Sequence, residues 1–84
     1  MAVNQAARIS WTKANVTMNG APTLERHRFR FDPAEGRATV HDRRGELVAT
    51  IIASEVRSEG RLHVVVIGEG QEWLVQSQGC GCRG

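Results

Sequence analysis

The sequence predicts an all-β fold: a small single-domain meander, sandwich or barrel of about six short antiparallel strands. Three observations predict it. Apolar residues alternate in short runs, turn-forming residues separate those runs at short intervals, and β-branched residues fill them. At 84 residues and 9.2 kDa the chain has room for one core. A domain of this size buries only about 60–65 % of its unfolded surface, so its stability is marginal unless self-association or a partner adds to it.

Residues 1–7 read as a flexible N-terminal arm, residues 8–78 as the single β domain and residues 79–84 as a Gly/Cys tail. Over residues 8–18 the apolar positions are Ile9 and Trp11, then Ala14, Val16 and Met18, so the phase slips by one near Lys13 and predicts a bulge or bend. Asn19-Gly20 supplies a pair that tolerates positive φ in a tight turn, and Pro22 stops the strand. Residues 24–31 form the cleanest two-faced run, with His27, Phe29 and Phe31 on one face and Arg26, Arg28 and Arg30 on the other. Asp32, Pro33 and Gly36 mark a loop, residues 37–41 a short strand, and residues 42–45 a turn.

Residues 46–56 are ambiguous, because Leu47, Val48, Ile51, Ile52 and Val56 also fit helical spacing. The β-branched Val48, Thr50, Ile51 and Ile52 and the tight preceding turn favour a strand to about Ala53. A turn at residues 58–60 leads into residues 62–67, a near-continuous apolar strand expected to be covered on both faces at the centre of the fold. Residues 68–70 turn the chain again, and residues 72–77 form the last strand, with Trp73 and Val75 facing one way.

Charged residues are 24 % and hydrophobic residues 40 % of the chain, ordinary globular usage that indicates neither disorder nor a membrane span. The longest apolar run, residues 64–67, is too short to cross a bilayer, and residues 1–7 lack the pattern of a secretory signal. The expected location is therefore the cytoplasm or an assembly built there. A net charge of +2 is well short of a field that would define a nucleic-acid-binding protein by composition alone. Among its eleven basic residues only Lys13 is lysine, which fits forked hydrogen bonding but also follows from a GC-rich coding sequence.

Five residues are candidates for binding. Arg26, Arg28 and Arg30 would stand about 7 Å apart in succession on one face, a row able to track phosphates or a carboxylate-rich surface. The simpler expectation is a solvated face cross-paired with Glu or Asp on a neighbouring strand. Stacking aromatics would be expected on the same face for a nucleic-acid site, yet Phe29 and Phe31 point the other way. Trp11 and Trp73, in the first and last strands, are expected to meet and close the sheet, or one of them to anchor an interface.

Cys80 and Cys82 could supply half of a zinc site, completed by His27, His41 or His63 or by another chain, although structural pairs usually have two to four intervening residues. A mutual disulfide would be strained by the short loop; reduced thiols in a loose tail, or a bond or contact with a neighbouring chain, are the alternatives. No nucleophile elbow occurs, and Gly68-Glu69-Gly70 lacks the lysine and helix of a phosphate loop. Together with the scattered histidines, this argues against an enzyme, and no cofactor beyond that zinc is implied.

The stretch Glu72-Trp73-Leu74-Val75 leading into Gly79-Cys80-Gly81-Cys82, at the end of a short Arg-rich β chain, resembles small virion proteins of phages that infect actinobacteria. The resemblance covers this C-terminal stretch together with size and composition. It implies a structural part of a capsid or head-to-tail region, packed in many copies against other protein subunits. The expectation is thus a non-enzymatic structural or interaction protein. The alternatives are a nucleic-acid-binding β module using the arginine row and a metal-binding protein using the cysteines.

Overall fold

The computed structural model describes residues 8–78, and these form seven antiparallel strands in one sheet without helices. The strands are β1 (Ile9–Met18), β2 (Leu24–Asp32), β3 (Arg37–His41), β4 (Leu47–Ile52), β5 (Glu55–Ser58), β6 (His63–Gly68) and β7 (Gln71–Ser77), in the order β4-β3-β2-β1-β7-β6-β5. Residues 46–56 are extended, so the helical reading of that segment does not hold. One strand more than about six is present because residues 53–54 break the run, and β5 follows where the sequence predicted only a connection.

Direction alternates through the antiparallel pairings, so β4 and β5, at opposite ends of the order, run the same way. Only Ala53 and Ser54 lie between them, and three residue steps span at most about 11 Å. They are therefore halves of one bent run that leaves β3 and joins β6, and the sheet rolls up so that its edges meet at this corner. Around Ala53 the backbone changes partner: its N–H donates to Gly36 O (2.8 Å), while the N–H of Ser54 donates to Ile67 O (2.7 Å). Gly68 lies directly against the backbone of Ile52 and Ala53, where a Cβ would collide with the Ile52 carbonyl. Glycine is required by that close approach.

The roll encloses rows of cross-strand partners. Trp11, Phe29, Val40 and Ala49 form one row, and Ile9, Phe31, Ala38 and Ile51 the next. At the other end Met18, Trp73, Val66 and Val56 align, next to Leu24, Val16, Val75 and Val64. Phe31 faces Ala38 and Val40 faces Ala49, so that small residues offset larger ones where the interior is narrow. Among the described residues every buried side chain is apolar. Burial of each Val, Ile or Phe here contributes about 1.5–3 kcal/mol. Val64, Val65 and Val66 are all buried, as expected of a run covered on both faces, although β1 and not β6 is the middle strand of the sheet.

The expected bulge near Lys13 is present: Trp11 pairs with Phe29 but Ala14 with His27, so β1 carries an extra residue there. A compensating irregularity follows on β2, where Val16 pairs with Leu24 and Arg26 adopts φ +60°. The Asn19-Gly20 turn is also as predicted. Both residues have positive φ (51° and 77°), and Ala21 N–H closes the turn onto Met18 O at 2.8 Å. The Asn19 side chain reaches further, its Oδ1 accepting from the Glu72 N–H at 2.9 Å and tying the turn to β7.

Candidate functional site

The outer surface offers two regions of opposite character. The first is the convex face of β1, β2 and β3. Alternation along β2 puts Phe29 and Phe31 in the core and leaves Arg28 and Arg30 exposed. Arg26 is exposed as well, but by a different route: the bulge turns Glu25 and Arg26 outward together, and the Arg26 N–H meets Asn15 Oδ1 at 3.4 Å. Arg26 is thus displaced from the regular row expected of it.

The cross-strand partners of Arg28 and Arg30 are neutral or basic. Arg30 stands between Ser10 on β1 and Thr39 on β3, and Arg28 is opposite His41. Lys13, pushed out by the β1 bulge, shares a shallow depression with Thr12, Arg26, Arg28 and Arg43. A second depression, of about 390 Å³, runs between Arg28, Arg30, Ser10 and His41. The expected cross-pairing of the arginines with Glu or Asp is therefore not found. Among the described residues the ion pairs are Arg8–Asp32 and Arg37–Glu35, which line a depression at the Arg30 end of the row, and those of Arg57 with Glu55 and Glu59; none includes an arginine of the row. Asp42, at the end of β3, is held by its own turn. Its Oδ1 accepts from the N–H groups of Arg44 (2.8 Å) and Glu46 (2.9 Å), and these bonds, the Glu46 one foremost, lower its pKa, aided by the charges of Arg44 and His27 and opposed by desolvation.

The second region is the outer edge of β4. Leu47, Val48 and Ile52 are 58 %, 43 % and 47 % exposed, on a strand without a charge or a proline. Ala53 bonds toward β3, so by alternation the backbone of Ile52 and Thr50 points away from it. The Ile52 N–H is capped by Glu69 Oε2 at 2.7 Å, and among the described residues no strand continues the sheet beyond Thr50. This edge was not singled out in the sequence. The available signal was a charge-free six-residue run with large apolar residues in both phases of the alternation.

The two tryptophans do not meet. Their strands are adjacent, as expected of the first and last, but β7 pairs only with residues 14–18 of β1, and Trp73 lies opposite Met18. Trp11 leans instead on Phe29, with ring centroids 5.9 Å apart at 46°. Trp73 is 1 % exposed, and its Nε1–H donates to Gln71 Oε1 at 3.2 Å. That burial removes Trp73 as an interface anchor, whereas half-buried Trp11 lines the depression beside Arg28 and Arg30.

Cys80 and Cys82 lie outside the described residues. Within the described residues no group of three or more His, Asp or Glu side chains is placed to hold a metal ion. His27 is on the inner side of β2, its Nδ1 bonded to Glu25 O at 2.8 Å, His41 is on the outer side of β3, and His63 starts β6. Among the described residues no helix is long and apolar enough to cross a membrane. Compared with family models, curated proteins and solved structures, the chain matches none.

Proposed function

We propose that this chain is a non-enzymatic interaction subunit, a small virion component that docks through the edge of β4 onto neighbouring protein subunits. The open middle of that edge, at Thr50, is the observation that carries the reading. Natural sheets blunt a free edge with charge, proline, a bulge or a covering segment, because unpaired N–H and C=O groups recruit other strands. Here a bulge at Leu47–Val48 opposite His41 and the Glu69 carboxylate guard the ends of the strand, and Thr50 between them is left open, flanked by exposed Val48 and Ile52. Apolar side chains beside free backbone groups are the chemistry of strand addition by a partner. The marginal core of so small a domain also gains from such a contact. The resemblance of the C-terminal stretch to small phage virion proteins supports the same reading.

The test is incorporation. The double substitution Val48→Lys, Ile52→Lys leaves the inward face of β4 intact and is expected to change stability by no more than about 0.5 kcal/mol. The unaltered chain is expected in assembled particles at a fixed copy number, measured by quantitative mass spectrometry, and the variant is expected to be excluded from them. A chain missing from particles and monomeric at about 100 µM would defeat the proposal, as would full incorporation of the variant.

A further inference from the structure

Beyond docking through β4, we propose that the convex face of β1–β3 is a second, independent site that binds the phosphate backbone of duplex nucleic acid. Arg26, Arg28, Arg30, Lys13 and Arg43 gather on this face, although the whole chain carries a net charge of only +2. None of these five cations has an ion pair among the described residues, and the nearby carboxylates are turned to other groups or another depression: Glu35, which shares a depression with Arg30 and Asp32, pairs with Arg37. Asp32 pairs with Arg8, Asp42 accepts from its own turn, and Glu25 lines a different depression beside Asn15 and Gln76. Concentrated like charge without internal compensation costs self-repulsion, and an anionic polymer relieves it by exchanging its counterions for the arginines.

Side-chain chemistry narrows the class of partner. The cations alternate with the hydroxyls of Ser10, Thr12 and Thr39, which can add neutral hydrogen bonds to phosphate oxygens. A protein partner would need an apolar or aromatic anchor at the centre of the patch. The large exposed apolar residues lie on β4, on β7 and just before β6, with only Leu47 at the border of this face, opposite His41, and Trp11, the one aromatic residue lining the Arg28–Arg30 depression, is half-buried with its ring against Phe29. Single-stranded binding would need aromatic platforms, but Phe29 and Phe31 are buried and Trp11 is turned onto Phe29. A phosphate-tracking, sequence-independent contact with a duplex remains.

Fluorescence anisotropy of the full chain with a labelled 30-base-pair mixed-sequence duplex, between about 30 and 200 mM salt, tests this. Three to four neutralised phosphates predict a slope of log affinity on log salt of about −3 to −4. Arg28→Gln with Arg30→Gln should weaken binding at about 50 mM salt by about tenfold or more and flatten the slope by about 2. Arg57→Gln with Arg61→Gln, equal in charge but off this face, should change it by less than about threefold. Unchanged melting temperatures confirm that both variants fold. Three results would overturn the proposal: no binding at about 50 mM salt, equal losses in the two variants, or tighter binding to polyglutamate or to a single-stranded homopolymer than to the duplex.

Discussion

The rolled sheet has two joins that are built differently, the ladder between its first and last strands in the chain, at the middle of the strand order, and the corner where its two edges meet. Where β1 meets β7, consecutive residues from Ala14↔Ser77 to Met18↔Trp73 pair in register. Asn19 extends the seam at one end through its N–H to Glu72 O, and Gln78 at the other through its N–H to Lys13 O, each at 2.9 Å. Where the run of β4 and β5 meets the end of β6, closure rests on a few single residues: Gly68 against Ile52 and Ala53, Glu69 on the Ile52 N–H, and Ser54 on Ile67. A ladder spreads closure over many backbone groups and leaves no edge. A corner concentrates it on side-chain identities and leaves the outer edge of β4 without a strand among the described residues, the edge proposed above to accept a partner.

The largest expected effect falls on the inner side of the ladder. Trp73→Ala removes the largest fully buried side chain, from the row that holds Met18, Val66 and Val56. It should cost about 3–5 kcal/mol, most of the stability available to a domain of this size. Trp11→Ala, at a half-buried position outside the β1–β7 ladder, should cost clearly less. Urea unfolding monitored by circular dichroism checks both, and equal losses would contradict the contrast between the two tryptophans.

The corner should break next. In Gly68→Ala the new methyl group meets backbone atoms of Ile52 and Ala53, which cannot swing aside as a flexible side chain would. Overpacking of this kind costs about 1–3 kcal/mol, more where backbone must shift. The loss should be local in origin, so amide exchange in the variant should quicken first at Ile52 and Ser54, whose N–H groups bridge the corner, and last along β1 and β7. Uniform acceleration across the sheet would mean that the two seams open together.

Much of this architecture is legible in the sequence because it is local. Alternation in residues 24–31, the phase slip at Lys13 and the Asn19-Gly20 pair each name their own structure through sterics or period. What depends on register and neighbours is not. β5 holds a single apolar residue, Val56, and becomes a strand because β6 offers it a ladder. Trp11 and Trp73 sit on adjacent strands yet miss each other because β7 covers only part of β1. Arg28 and Arg30 could be placed on a common face from alternation alone. Their lack of a facing carboxylate depends on Ser10, Thr39 and His41 being the residues opposite them. The exposed β4 edge likewise follows from strand order, which no single run of residues encodes.

The smallest effect concerns the turn that delivers the chain to that edge. The Asp42 carboxylate organises residues 42–46 by accepting from two backbone N–H groups, and those bonds hold its pKa below the ordinary value. A group whose pKa is lower in the folded chain than in the unfolded one stabilises the fold fully above the unfolded value, about 3.9 for Asp, and ceases to do so as pH falls through the lowered folded value. Asp42→Asn keeps an Oδ1 acceptor but cannot titrate. Urea midpoints should therefore fall less steeply in the variant than in the unaltered chain between about pH 5 and pH 2.5, with the gap between the curves narrowing toward acid. Because Asp42 is solvent-exposed, about 0.5 M salt should shrink the part of that gap due to Arg44 and His27 and leave the part due to the two amide bonds. Parallel curves at both salt concentrations would show that the turn forms without the charge, and that the start of β4 is fixed by its pairing with β3 alone.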